Sequence, residues 1–136
     1  MKKVLLFLFT MLSIYNANAW GSRGHAMVAK VAFSYPDQST KKNVLAYLDG
    51  MTIEEAANWM DNIKGDRSKD FMKPYHYANF QKGFKVVDKE GSNIVHIVNN
   101  TILELGDKDK LTKEEIKTKI LFLFHLVGDL HQPLHV

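Results

Sequence analysis

The stretch "LTKEEIKTKILFLFHLVGDLHQ", residues 111–132, decides the fold. Thr112 and Glu115 stand at capping-box spacing, which marks a helix start. The apolar positions that follow, from Ile116 to Leu130, form a side broad enough for a buried helix. Pro133 should end or kink it. Within this helix sit residues that an apolar helix has no packing reason to carry. His125 and Asp129 are four apart, so they share one face.

The rest of the chain continues the helical pattern. "RGHAMVAKVAFSYP" (23–36) places Met27, Val28, Val31 and Ala32 on one side and closes at Pro36. "STKKNVLAYLDG" (39–50) predicts a shorter helix ending near Gly50. "MTIEEAANWMDNIKG" (51–65) opens with Thr52 and Glu55, a second capping box, and stops at Gly65. Residues 65–91, "GDRSKDFMKPYHYANFQKGFKVVDKEG", read as a long loop held by Tyr75, Tyr77 and Phe80; loops of this length are commonly functional. "SNIVHIVNNTILELG" (92–106) predicts another helix. No segment has the period-two alternation of a strand. The expected class is all-α.

Composition bounds the rest. With 136 residues and 46% hydrophobic content, the chain suits one domain with a modest core. Residues 1–19, "MKKVLLFLFTMLSIYNANA", have a lysine-led start, an apolar run and Ala17-Asn18-Ala19, the pattern of a secretory signal peptide. The apolar run is short for a membrane span of about 20 residues. Cleavage after Ala19 makes Trp20 the new amino terminus. It leaves 16 of the 18 basic residues against 15 acidic ones, so the formal charge falls from +3 to +1. A basic balance is then weak support for a nucleic-acid partner. There is no cysteine. An exported chain without disulfides relies on its core, on bound metal, or on both. The expected location is the periplasm or the medium of a bacterium, with no membrane attachment after cleavage.

Imidazole nitrogen and carboxylate oxygen at the spacing of His125 and Asp129 suit one zinc ion. His131, six positions from His125, points elsewhere and reads as a structural group. His135, beyond Pro133, turns to a different position. Together His125, Asp129 and His135 point to metal. Further candidates stand at a distance: His25, Asp61 and His76. Taken singly, these three read as a surface histidine, a solvated aspartate and a packed loop histidine.

Four motifs change that reading. "WGSRGH" (20–25), "NWMDNIK" (58–64), "YHYANF" (75–80) and "HLVGDLHQPLH" (125–135) resemble, in order and spacing, those of the S-one/P-one nuclease family. These are secreted zinc nucleases, mainly α-helical, with three zinc ions in one cleft. The resemblance implies that Asp61, His76, His125 and Asp129 gather one zinc ion. It implies that Trp20, through its free amine and carbonyl, and His25 hold a second, with Asp129 bridging the two. His135 would serve a third, whose further ligands lie beyond Val136. Family members run to about twice this length, so 20–136 is expected to be the amino-terminal portion of the nuclease domain. His96 is left as a packing or surface histidine.

The implied chemistry is hydrolysis of phosphodiesters in single-stranded DNA and RNA to 5′-phosphorylated products, with 3′-nucleotidase activity. Asp61 would orient the attacking water. Lys64 matches a position that is basic in relatives and would touch the phosphate, or is a solvated lysine. Tyr77 matches a base-stacking position and Asn79 one that contacts the base edge. No stable protein partner is implied. Two alternatives stand beside this reading: a zinc phospholipase C of the same fold, and an inactive zinc-binding fragment.

Overall fold

The computed structural model describes residues 21–79, 83, 91–132 and 135. The expected signal peptide (1–19), Trp20, Phe80 and Pro133 lie outside the described residues. Five α-helices and two 3₁₀ segments account for most of what is described: α1 Ser22–Ser34, α2 Gln38–Leu48, α3 Ile53–Asn62, a 3₁₀ segment Arg67–His76, α4 Ile94–Gly106, a 3₁₀ turn Lys108–Lys110, and α5 Lys113–Leu130. No strand occurs among the described residues, and the all-α expectation holds.

Local chemistry sets the helix ends. Both expected capping boxes form. The Glu115 N–H donates to the Thr112 hydroxyl at 3.2 Å, and the Thr112 N–H donates to the Glu115 carboxylate at 2.8 Å. Thr52 and Glu55 repeat this at the start of α3. Asp37 caps α2 by accepting from the Thr40 N–H, and Asn93 caps α4 by accepting from the His96 N–H. The α2 terminus at Asp49 takes a left-handed conformation (φ 53°), and Gly50 follows at φ 86°.

α5 is the central element. It packs against α1, α2, α3, α4 and the long 3₁₀ segment, and α1 packs in turn on α3. Two apolar clusters flank it. One holds Ala29, Leu48, Ile53, Ala56, Ala57 and Leu121. The other holds Met60, Met72, Ala78, Ile94, Val98 and Leu126. Trp59 packs on both. The small side chains of Ala29, Ala56 and Ala57 leave little between the backbones of α1, α3 and α5. Among the described residues, no helix is long and apolar enough to cross a membrane.

Two expectations are corrected. Arg67–His76 is a 3₁₀ helix, where a loop was expected from 65 to 91. It buries Met72 and His76 and sets Tyr75 against Phe71 and Phe122, an inside that its mostly charged sequence does not announce. Tyr77, expected to hold this segment, is 43% exposed. The second correction concerns α1. Met27 and Val31 are exposed, and the buried residues are His25 and Ala29. A close helix crossing selects the small residue and the imidazole over the bulkier pair.

Candidate metal centre

Four separate elements deliver the site. His25 comes from the first turns of α1, Asp61 from the last turn of α3, His76 from the end of the 3₁₀ segment, and His125 with Asp129 from the last turns of α5. His125 and Asp129 project together because they are one helical turn apart.

Asp129 is the hub. It is 1% exposed, and each carboxylate oxygen meets two imidazoles. Oδ2 lies 2.9 Å from His76 Nδ1 and 3.2 Å from His125 Nε2. Oδ1 lies 3.3 Å from His25 Nε2 and 3.6 Å from His135 Nδ1. Asp61 stands at the mouth, with Oδ1 3.6 Å from His125 Nε2 and Oδ2 3.9 Å from His25 Nε2. The His25 and His125 rings stack at 4.1 Å between centroids, and His76 meets His125 edge-on at 4.8 Å.

Backbone carbonyls fix two tautomers. A carbonyl only accepts, so His125 Nδ1–H donates to the Ala57 carbonyl at 2.7 Å and the ring keeps its lone pair on Nε2. His135 Nδ1–H donates to the His76 carbonyl, also at 2.7 Å, and its lone pair lies on Nε2. The Ala57 contact is the outer support that metal-binding imidazoles typically have.

Electrostatics tests whether a cation belongs here. The His125 Nε2 lone pair faces oxygens of two carboxylates. Lone pair and anions repel unless a cation, either proton or metal ion, lies among them. Burial opposes the Asp129 charge, but when a proton also occupies His125 Nε2, hydrogen bonds from His125 and His76 and the fields of His125 and His25 outweigh it, so the carboxyl titrates well below its ordinary range. Burial likewise opposes ionised Asp61, yet Lys64 at 2.5 Å and His125 hold its pKa below normal. Burial, then the field of His125, lowers the His25 pKa and favours the neutral, ligating form. His25, Asp61 and His125 each offer one ligand atom within 4.8 Å of the others, and so do His76, His125 and Asp129. Two metal-sized groups therefore share His125, and nitrogen with carboxylate oxygen is a donor set that zinc accepts.

The structure thus gathers His25, Asp61, His76, His125, Asp129 and His135 in one place. Lys64 stands beside Asp61 at the rim. Tyr77 and Asn79 line an open hollow with Pro74, Ala78, Ser92 and Asn93, next to His76 in sequence. His131 is exposed and turned back on α5, its Nδ1–H donating to the Val127 carbonyl. His96 pairs with Asn100 on α4.

One contributor went unread in the sequence. A Cβ built on Gly128 would lie 2.6 Å from His25 Nδ1, so the His25 ring holds this position against α5 because this residue is glycine. The signal was a lone glycine inside an apolar helical pattern, a position that costs about 1 kcal/mol against alanine and calls for a packing reason.

The family profile described as S1/P1 nuclease matches residues 20–136. Nuclease S1 of Aspergillus oryzae is 30% identical over 128 residues, covering 85% of this chain and 44% of its own. Endonuclease 4 of Arabidopsis thaliana is 28% identical over 141 residues, covering 90% and 47%. Nuclease P1 of Penicillium citrinum is 27% identical over 128 residues, covering 85% and 47%. The chain spans about half the length of the curated relatives it matches.

Proposed function

Because the chain belongs to the S1/P1 nuclease family, we propose that it serves a zinc-dependent endonuclease and 3′-nucleotidase that hydrolyses single-stranded DNA and RNA to 5′-phosphorylated products. The observation that carries this reading is the convergence of three buried imidazoles and two carboxylates from four elements around Asp129. Relatives named nuclease or endonuclease favour it over a phospholipase C. A divalent metal ion held here supplies Lewis acidity and lowers the pKa of its water.

The chain's own residues then divide the work. Asp129 engages ligands through both oxygens, which suits a bridging role. His76 and His125 complete one site with Asp61. His25 and the Trp20 amine freed by signal cleavage would complete a second, which would link export to activation. His135, with Nδ1–H on the His76 carbonyl and its Nε2 lone pair left to ligate, would serve a third. Asp61 is one-third exposed at the mouth, placed to orient an attacking water. Lys64 stands ready for the phosphate, and Tyr77 and Asn79 for the base.

The test is metal content of the mature chain, Trp20 to Val136, with digestion of single-stranded DNA alongside. About two zinc ions per chain are expected from the paired design, and Asp129→Ala should lose both while circular dichroism reports the helices intact. A parent chain without stoichiometric zinc would overturn the assignment of these ligands.

A further inference from the structure

Asn58 stands three residues before Asp61 on α3, so the two side chains share a face of the helix. Its amide reaches across to α1. Nδ2 donates to the Ser22 carbonyl at 3.2 Å and to the Glu54 carbonyl at 2.8 Å. Its oxygen is left over: Oδ1 is closed to solvent and has no hydrogen-bond partner among the described residues. We propose that Asn58 is a positioning residue that seats the amino terminus of the mature chain at the metal centre, with Nδ2 holding Ser22 and Oδ1 accepting an N–H of the Trp20 amine; the proposal rests on the nuclease reading above, in which that amine is a ligand.

The orientation of the amide is fixed by its partners. A carbonyl only accepts, so the edge that faces two carbonyls is the NH2 group and the oxygen points away from them. Exchanging the two atoms would set oxygen against oxygen twice, so the leftover acceptor is not a flipped amide. Both N–H bonds are spent, and one acceptor remains. A buried oxygen without a donor costs free energy, and native chains rarely leave one. A donor is therefore called for at a defined place, beside the start of α1 and one helical turn from Asp61.

The mature chain offers two backbone nitrogens ahead of Ser22, those of Gly21 and Trp20. The Gly21 N–H does not meet Oδ1. The Trp20 amine is the other donor, and two residues span about 7 Å from the carbonyl that Nδ2 holds. As a peptide nitrogen, before cleavage, it has one N–H and no lone pair for a metal ion. As a free amine it ligates through its lone pair and keeps N–H bonds to give. One of these on Oδ1 aims the lone pair, as outer partners aim metal-binding imidazoles. The Nδ2 bond serves the same centre: Ser22 is three residues before His25, and Asn58 three before Asp61, so one contact sets two candidate ligands against each other.

The experiment compares the mature chain beginning at Trp20 with a chain carrying one alanine ahead of Trp20, which locks the amine in a peptide bond. Zinc affinity is read by competition with a chelating dye, with helicity and the metal-free unfolding midpoint beside it. In the first chain Asn58→Ala should weaken binding of the second zinc ion roughly 10- to 100-fold, the range for lost outer support of a ligand. In the extended chain, which already lacks the amine, the same substitution should change zinc affinity by less than about twofold. The lost bonds to Ser22 and Glu54 are common to both chains and drop out of the comparison. Asn58→Leu, which fills the space without hydrogen bonding, repeats the comparison if alanine unfolds the start of α1. An equal loss in both chains, or no loss in the first, overturns the seat and leaves the nuclease reading intact. A parent chain that holds no second zinc ion overturns the paired site on which both rest.

Discussion

At the scale of single residues, the site depends on one missing side chain. Gly128 lets His25 Nδ1 come within 2.6 Å of where a Cβ would be. Gly128→Ala should favour α5 slightly by propensity, by about 1 kcal/mol, and still cost metal binding, because the His25 ring must leave its stack on His125. Competition with a chelating dye should report zinc affinity reduced roughly 10- to 100-fold, the range for lost outer support of a ligand, with helicity retained. Unchanged affinity would mean that His25 keeps its place without the glycine. The pairing of His125 with Asp129 was legible from their spacing alone. That the His125 Nδ1–H would find the Ala57 carbonyl was not, since the two lie 68 positions apart.

Elements show where local chemistry sufficed and where it did not. Capping boxes depend on residues three apart, so both were readable, and their strength is testable. Thr112→Ala should cost about 1 kcal/mol, seen as a lower midpoint in chemical denaturation with an unchanged slope. A loss near zero would assign the start of α5 to packing alone. The inward face of α1 was not readable. Apolar side chains occur nearly all round it, from Ala26 to Phe33, and the crossing with α5 chose His25 and Ala29 while leaving Met27 and Val31 in solvent. The 3₁₀ segment escaped for a related reason: its sequence is mostly charged, and the contacts of Met72, Tyr75 and His76 with distant elements give it an inside.

For the whole molecule, gathering imidazoles around a buried carboxylate makes stability depend on pH. In the metal-free chain the folded pKa of His25 is below its ordinary value. Below about pH 6.5 the unfolded chain takes up this proton and the folded chain resists, so stability falls as pH drops from there to the folded pKa. Asp129 acts in the same direction at lower pH: its depressed folded pKa adds stability above the ordinary carboxylate value, lost as pH falls through the folded value. Thermal unfolding in a chelating buffer should show the midpoint declining as pH falls below about 6.5, and His25→Gln should flatten that decline. Zinc should raise the midpoint at neutral pH by binding the folded state, less so in acid where the imidazoles protonate. A midpoint indifferent to pH in the chelated parent would remove His25 from this account.

The sequence by itself determined the helical class, the helix starts at Thr52 and Thr112, and the motifs of the S1/P1 nuclease family, because capping, periodicity and motif spacing act over a few residues. Only the tertiary structure decided that α1, α3, the 3₁₀ segment and α5 meet at Asp129 and that Gly128 admits His25. Those outcomes depend on which helix faces fit closest, and closeness between residues tens of positions apart is a property of packing that local sequence does not encode.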